Sequence, residues 1–245
     1  MMTFYTLTKI EAKLVWRGLD ILIFGIIFPI IVALLFGYIM NNELFTQGNT
    51  MFLHSYPAVV TISILATGVM GLPLTIADYR HRHILKRFQV TPASPLTLLC
   101  AQALVQFIAS MLSFLGVTAV YLFVFNYEMA GSFGLFLCSY LFVLMAMYSI
   151  GILIGSIVPD QKAANLWGSL AYFGMLLFSG ATIPFEIFPQ ILQNVFAFLP
   201  LSQGIQLLKE VSLGGVLSDM IFPIVTMMAC VFISGFLSIK YFRWK

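Results

Sequence analysis

Long apolar runs alternate with short polar stretches along this chain, and the runs are long enough to cross a bilayer as helices, which takes about 20 residues. Six stretches have this character: 21–40, 55–77, 96–125, 133–158, 163–183 and 220–241. The third is longer than a bilayer requires, so we expect it to tilt or to project past the membrane. The short alternating segments of a membrane β-barrel are missing. The pattern predicts an all-α integral membrane protein, one domain over 1–245 with six transmembrane helices.

The residues before the first apolar run have the pattern of an amphipathic helix. Lys9, Lys13 and Arg17 recur at four-residue spacing, which places them on one helical face. Trp16 stands where an interfacial anchor would. We therefore predict that 1–20 forms an amphipathic helix on the membrane surface. The run that follows is too long for the apolar part of a signal peptide and lacks an A-x-A site, so we interpret it as the first span.

Composition and charge placement indicate the orientation. Hydrophobic residues make up 61% of the chain and charged residues only 9%, as expected for an integral membrane protein. If the N-terminus is cytoplasmic, eleven of the 12 Lys and Arg residues lie on the cytoplasmic side and only Lys209 lies outside. Cytoplasmic loops of membrane proteins carry such an excess of basic residues. We therefore expect a multi-pass protein of the cytoplasmic membrane with both termini in the cytoplasm.

The stretch 78–92, between the second and third predicted spans, concentrates basic residues. It holds four of the 12, namely Arg80, Arg82, Lys86 and Arg87. Wound as a helix, it would have an apolar side formed by Ile84, Leu85 and Phe88. Pro92 would end such a helix. Two interpretations have about equal weight: a basic loop that only fixes orientation, or a short cytoplasmic helix presented to a soluble partner.

The sequence after the fifth predicted span is no longer a continuous apolar run. Prolines and glycines interrupt 184–215, and its segment 190–199 is too short to cross a bilayer. Gln190, Gln193 and Asn194 share one helical face. We favour a pair of re-entrant or interfacial helices on the outer side, whose freed backbone groups must be buried in protein or face a water-filled cavity. The alternative is an extracellular loop with helices lying on the surface.

Several function classes lack the residues they need. No lysine is followed by serine or threonine, so no P-loop can bind ATP phosphates. All three histidines fall in predicted loops, which disfavours an intramembrane hydrolase, and Arg80 and Arg82 would oppose a metal ion at His81 and His83. No acidic residue lies in the middle of a predicted span, so an ion-coupled pump lacks its carboxylate relay. If the chain moves solutes, its energy comes from another protein, and we expect no cofactor or metal in it.

Five small or polar residues inside the spans are candidates for helix packing or for a transport pathway. Gly151-x-x-x-Gly155 suits close packing, either inside the bundle or between subunits. Gln102 and Gln106 lie four residues apart on the third span, where they could line a pathway or hydrogen-bond to another helix. Asn165, on the fifth span, allows the same two interpretations.

Two motifs resemble those of the ABC-2 type permeases, the membrane subunits of ATP-binding-cassette exporters of the daunorubicin-resistance and polysaccharide-export types. The stretch D-Y-R-H-R-H-I-L-K-R-F-Q-V-T-P-A-S at 78–94 is similar to the family's E-R-E-x-G-T-L-E-x-L-x-V-T-P-x-S. The stretch 179–201, with S-G-A-T-I-P, F-P and L-P-L in that order, is similar to S-G-x-x-x-P … P … P-L. Asp78, His83 and neighbouring bulkier residues occupy the family's Glu and Gly-Thr positions. With six spans and an amphipathic N-terminus, the resemblance covers essentially the whole chain.

The resemblance implies a fold like that of type V ABC exporters and a division of labour between subunits. A cytoplasmic coupling helix would dock into a separate cytosolic ATPase through Asp78, Arg82, Ile84, Leu85, Lys86 and Phe88. An outer gate would be formed by Pro184, Phe185, Phe188, Pro189, Phe196 and Pro200. Two copies of this chain, a homodimer in membrane lipid, would enclose the pathway, and two copies of the ATPase would bind ATP and Mg²⁺.

The implied function is the export of an amphiphilic substrate (a drug, lipid, glycolipid or peptide), as in multidrug or antimicrobial resistance. The chain alone would not be an enzyme, because ATP hydrolysis would belong to the complex with its partner. The alternative is a membrane immunity or interaction protein that sequesters a toxic peptide without transport. A co-purifying ATPase would favour export, and its absence would favour the alternative.

Overall fold

The structure is a computed structural model that describes residues 2–19, 21–41, 50–84, 95–183, 188–215 and 217–241. All regular elements in these ranges are helical, which confirms the all-α prediction. We number the helices in chain order: α1 Met2–Arg17, α2 (Ile21–Ile27 with Phe28–Asn41), α3 (Thr50–Ile64, Leu65–Gly71 and Leu72–His81), α4 (Pro95–Ala119 with Val120–Val124), α5 Phe133–Ile157, α6 Gln161–Phe178, α7 Gln190–Phe196, α8 Pro200–Leu213 and α9 Ile221–Tyr241. The segments Ile21–Ile27, Leu65–Gly71 and Val120–Val124 are wound as π-helix.

Five of these helices are long and apolar enough to cross a membrane. They are Ile21–Ile39, Phe52–His81, Leu96–Val124, Phe133–Ile157 and Ile221–Tyr241, which match five of the six predicted spans. The predicted span 163–183 corresponds to α6, which has 18 residues and a rise of about 27 Å. This helix is not among the five, and it ends before Gly180, whose φ of 87° breaks the helix. Helices α7 and α8, bent by 96°, could count as a sixth crossing.

Helix α3 is the centre of the bundle. It contacts α2, α4, α5, α6 and α8. Its membrane-spanning window is 83% buried, against 28% for α2 and 22% for α9. The outer helices therefore carry most of the apolar surface that faces away from the bundle, while α3 is enclosed by protein along nearly its whole length.

Two glycines allow α5 to lie directly against α3. A Cβ at Gly151 would be 2.0 Å from the carbonyl oxygen of Gly68, and a Cβ at Gly155 would be 3.1 Å from the Cα of Pro73. Both neighbouring atoms belong to the backbone of α3, so they cannot move aside as a flexible side chain would. The G-x-x-x-G motif therefore packs inside the bundle of one chain.

Hydroxyl hydrogen bonds join α3, α4 and α5 within the apolar core. Thr67, Ser110 and Tyr148, one from each helix, form a closed triangle with oxygen–oxygen distances of 2.6, 3.2 and 3.0 Å. The Tyr140 hydroxyl of α5 lies 3.3 Å from that of Ser63 on α3. An unpaired hydroxyl in an apolar core is costly, so these bonds fix the relative positions of the three helices.

We name the two ends of the bundle after residues that lie there. The Arg80 end contains the C-termini of α3 and α5 and the N-terminus of α6. The Gly214 end contains the C-terminus of α8, where the Gly131 N–H donates to the Ser212 carbonyl oxygen at 2.9 Å. The described parts of the predicted coupling and gate segments therefore lie toward opposite ends of the bundle.

Candidate functional site

The predicted coupling stretch begins at the Arg80 end, where α3 ends. Arg82 Nε donates to Asp78 Oδ1 at 2.9 Å, an ion pair one helical turn apart in which the Arg82 side chain is 67% exposed. Ile84 is half-buried against the small cluster of Tyr79 and Leu98. Leu85, Lys86 and Phe88 lie outside the described residues. A coupling helix over 78–92 therefore remains a prediction, whose first residues the structure places at an exposed end of the bundle.

A left-handed turn at His83 ends the regular part of α3. The φ of His83 is 56°, a conformation that costs a residue with a Cβ about 1–2 kcal/mol and that glycine adopts freely. The His83 N–H donates to the Arg80 carbonyl oxygen at 3.0 Å and closes the turn. The family motif that this stretch resembles has a glycine in this region. Glycine would adopt the left-handed turn without strain, whereas this chain has a histidine there.

Arg80 belongs to the basic stretch in the sequence, but the structure buries it to 6% exposure. Its guanidinium donates from Nη2 to the Gly155 carbonyl oxygen at 2.9 Å and from Nη1 to the Val158 carbonyl oxygen. Both carbonyls lie at the C-terminal end of α5, where they have no partner within the helix and carry partial negative charge. Arg80 therefore caps α5 and fastens the end of α3 to it. The sequence does not indicate this role, because Arg80 is one basic residue among several.

Helix α1 packs along α4 at the same end. Lys9 and Lys13 are exposed, as the amphipathic pattern predicts, whereas Glu11 is only 5% exposed. Burial raises the pKa of the Glu11 carboxyl above its ordinary value, and the neighbouring Tyr79 hydroxyl offsets part of the rise. Glu11 therefore holds its proton to a higher pH than an exposed carboxyl. The signal in the sequence is a carboxyl that falls between two exposed lysines, on the side of α1 that packs on α4.

At the Gly214 end, α7 and α8 form a bent pair within the predicted segment 184–215. Helix α7 has no buried residue, whereas most of α8 is buried. Gly204 of α8 packs against Val143, well inside α5, while Ser212 lies beside Gly131 before α5 begins. Helix α8 therefore runs antiparallel to α5 and points its N-terminal end into the bundle.

Two of the predicted gate residues meet in an aromatic cluster. The Phe196 ring stacks on that of Phe178 with centroids 4.6 Å apart, and it meets the Phe188 ring edge-on at 5.5 Å. Pro189 immediately precedes α7, and Pro200 is the first residue of α8, where its missing N–H leaves no helical bond unmade. Pro184 and Phe185 lie outside the described residues. The described aromatic residues of the predicted gate thus form a corner with Phe178 between α6 and α7.

A polar cavity of about 320 Å³ lies at the same end. Its polar lining includes the side chains of His54, Ser179, Ser202, Gln203, Lys209 and Glu210. These residues come from α3, from the turn after α6 and from α8, so only the folded bundle brings them together. None of the predicted gate residues that the structure describes lines this cavity.

The residues predicted for packing or for a pathway do not converge on one place. Gln102 is buried and donates from Nε2 to Thr75 Oγ1 at 3.1 Å. Gln106 is also buried, beside Gly71 of α3. With the two glycines of α5, these glutamines lie inside the bundle against α3. Asn165 instead lies on the exposed side of α6, where its Oδ1 accepts from Ser169 Oγ at 3.5 Å.

Comparison with known proteins assigns this arrangement to a family. The sequence profile described as "ABC-2 type transporter" matches residues 2–213. The "Putative transport permease YvfS" of Bacillus subtilis (strain 168) is 24% identical over 200 residues, which cover 78% of this chain and 77% of that protein. "Nodulation protein J" of Rhizobium leguminosarum bv. viciae is 31% identical over 70 residues, 29% of this chain and 27% of that protein.

Proposed function

Since this chain belongs to the ABC-2 type transporter family, we propose that it is the permease subunit of an ABC exporter. A separate cytosolic ATPase drives it by binding a coupling helix within 78–92. The substrate is amphiphilic and leaves across the cytoplasmic membrane. Two copies of the chain pair with each other and with two ATPase subunits, which supply the sites for ATP and Mg²⁺.

The observation that carries this proposal is the connection that Arg80 makes between α3 and α5. A partner that binds 78–92 acts first on the end of α3, since the stretch continues directly from that helix. Arg80 caps α5, and Gly151 and Gly155 hold α5 against α3. A displacement at the Arg80 end would therefore move two packed helices together, as in rigid-body switching of a bundle.

The proposal places the Arg80 end in the cytoplasm. Exposed basic residues gather there, and Lys9, Lys13, Arg82 and Lys162 are all on the surface. The Gly214 end carries Lys209, the one basic residue that the predicted topology puts outside. This distribution follows the rule that basic loops stay on the cytoplasmic side.

We propose that the pathway runs between the two copies. The core of one chain is filled by aromatic rings, including Tyr56 stacked on Phe136 at 5.2 Å. Exposed apolar side chains lie along the outer helices, among them Leu170 of α6 and Phe232 of α9. A second copy and membrane lipid would share these surfaces. A partner on α6 would place Asn165 at the interface, where it could face an amphiphilic substrate.

The test of the proposal is association with an ATPase. The tagged full-length chain, purified from the membranes of its own cells, should bring down a protein that hydrolyses ATP, while the chain alone should hydrolyse none. Leu85→Asp and Phe88→Asp should each abolish this association, because a buried carboxylate at a docking face is costly. Glu128→Lys is the matched control, since Glu128 is exposed in the loop at the Gly214 end, and it should leave association unchanged.

Normal ATPase association of both aspartate variants would overturn the coupling-helix assignment. A wild-type chain that brings down no ATP-hydrolysing protein would overturn the exporter itself. That second result would favour the membrane immunity or interaction protein that sequesters a peptide without transport.

A further inference from the structure

The polar cavity at the Gly214 end contains buried groups that lack hydrogen-bond partners. The Oγ atoms of Ser179 and Ser202 and the Oε1 atom of Gln203 find no partner among the described residues. The three residues are 2%, 7% and 3% exposed. Leaving a buried polar group unpaired costs about 1–3 kcal/mol, so three such groups around one cavity indicate that a polar ligand or water satisfies them.

The orientation of Gln203 defines what the ligand must bring. Its Nε2 donates to the Ala197 carbonyl oxygen at 2.6 Å, so Oε1 is the atom of this amide that is left without a partner among the described residues. A carbonyl oxygen can only accept a hydrogen bond. The ligand must therefore carry a donor, which a sulfate or carboxylate ion lacks. The two serine hydroxyls can either donate or accept.

The charges around the cavity select against an ion of either sign. Lys209 and Glu210 are neighbours in the chain, both half-exposed, and their formal charges cancel. The pair therefore gives neither a cation nor an anion a net attraction, and the unpartnered acceptor of Gln203 further disfavours an anion that carries no donor. A group that is uncharged and bears several hydroxyls satisfies every constraint, since each hydroxyl both donates and accepts.

We propose that this cavity binds an uncharged polyol group. The proposal deepens the proposed function and rests on it, because the polyol would be the polar head of the amphiphile that the chain handles. A volume of about 320 Å³ lies at the lower end of the range for small-molecule sites, which suits a head group rather than a whole amphiphile. Gln206, also in the lining, is exposed, so the cavity reaches the surface of the chain there.

The experiment measures occupancy at the cavity mouth. In a full-length chain with Cys100, Cys138 and Cys230 replaced by serine, Gln206→Cys provides a thiol at the opening for maleimide labelling in lipid nanodiscs. The probes share an octyl tail and differ in the head: octyl glucoside, octyl sulfate and octyltrimethylammonium. Octyl glucoside should slow labelling, and the two charged probes should not. Free glucose is the fourth probe: protection by glucose would support a site for a free polyol, and protection by octyl glucoside alone would support a site for a head group.

Two variants tie the protection to the buried groups. Ser179→Ala with Ser202→Ala removes two hydroxyls that take part in no described hydrogen bond, and it should raise the half-protecting concentration of octyl glucoside about tenfold or more. Ser238→Ala is the matched control, because it removes from α9 a buried hydroxyl that also has no partner in the described part of the chain and is not in the cavity lining. It should leave protection unchanged. A cysteine at Glu128, exposed at the same end, should label at a rate that no probe changes.

The proposal is overturned if no probe protects the thiol, which would indicate a cavity filled by water. It is equally overturned if all three octyl probes protect alike, or if the Ser238 variant weakens protection as much as the double variant. These measurements need neither ATPase nor ATP. Their failure would therefore leave the exporter assignment standing, and failure of ATPase association would not alter the binding result.

Discussion

Gly151 sets the distance between α3 and α5 by having no side chain. The carbonyl oxygen of Gly68 occupies the place of a Cβ, and Gly68 itself has no room for one beside the Tyr148 ring, since a Cβ there would be 2.5 Å from its Cδ1. Only glycine at both positions lets the two helices come close enough for the triangle of hydroxyl bonds around Thr67 to form. Single atoms therefore decide how closely the central helices approach.

Gly151→Ala should destabilise the protein by about 1–3 kcal/mol or more, because the added carbon overlaps backbone that cannot move aside. Thermal unfolding in nanodiscs measures the effect. Gly174→Ala on α6 is the control, since no described atom beyond its chain neighbours and its own helix backbone lies within 4 Å of its added Cβ, and alanine favours a helix. It should unfold at the same temperature as the wild type or higher. Equal melting temperatures for the Gly151 variant and the wild type would contradict the packing of α5 on α3.

Glu11 gives a pH-dependent prediction, because burial raises its pKa in the folded protein. Below the ordinary value of 4.5 the carboxyl is protonated in both states, so its contribution to stability is fully present. As the pH rises above this value, the unfolded chain loses the proton more readily, and stability falls until the folded pKa is passed. Glu11→Gln should therefore raise the melting temperature at pH 8 by a few degrees, with a gain that shrinks toward pH 4.5.

Glu128→Gln, which alters an exposed carboxyl, is the matched control and should show no pH-dependent gain. A gain of the same size for both variants, or a gain for Glu11→Gln that grows at low pH, would contradict the burial of Glu11 beside Tyr79.

At the scale of elements, the contact between the ends of α3 and α5 makes these two helices move as one unit at the Arg80 end. Helix α3 carries a guanidinium that α5 needs, because the terminal carbonyls of α5 have no partner within their own helix. Among the described residues, Arg82 makes an ion pair with Asp78 in which its own side chain stays largely exposed. Two arginines two residues apart therefore have different roles: one joins helices, and the other lies on the surface.

Arg80→Gln should destabilise the protein by about 2 kcal/mol, since it replaces hydrogen bonds from a charged donor and removes the favourable charge at the α5 terminus. Arg82→Gln should change the unfolding temperature little, because exposed ion pairs contribute little. Thermal unfolding of both variants in nanodiscs makes the comparison. If the Arg82 variant were the less stable of the two, the cap on α5 would be refuted.

At the scale of the whole molecule, the bundle has two chemically different ends. The Arg80 end combines exposed lysines of α1 with the start of the basic stretch, while the Gly214 end holds the bent pair and the polar cavity. An exporter needs such a difference, because a motor acts on one side of the membrane and substrate leaves on the other.

Single cysteines test this orientation in intact cells. With the three native cysteines replaced by serine, His83→Cys should react with an impermeant maleimide only after the cytoplasmic membrane is permeabilised, since His83 is exposed at the Arg80 end. Glu128→Cys, exposed at the opposite end, should react without permeabilisation. The reverse result would place the coupling stretch outside the cell and exclude a cytosolic motor.

Much of the fold follows from the order of apolar runs, because a bilayer leaves few alternatives to a helix of about 20 residues. The predicted limits of the fourth span, 133–158, differ from α5 by one residue. The prediction for 163–183 extended too far, since Ser179 and Gly180 turn the chain before Ile183 although both fit an apolar run. The left-handed turn at His83 was also not predicted, because a histidine does not signal it.

The sequence by itself determined that the chain is a helical membrane protein and to which family it belongs. It also showed that most basic residues fall in alternate loops and at the termini. Hydropathy, charge and short motifs are local properties of the chain, so the sequence is enough to read them. Only the tertiary structure decided that Arg80 is a buried cap and Arg82 a surface residue. It also decided that Gln102 and Gln106 face α3, and that Ser179, Ser202 and Gln203 surround one cavity. These depend on distances between residues far apart in sequence, which hydropathy and periodicity do not encode.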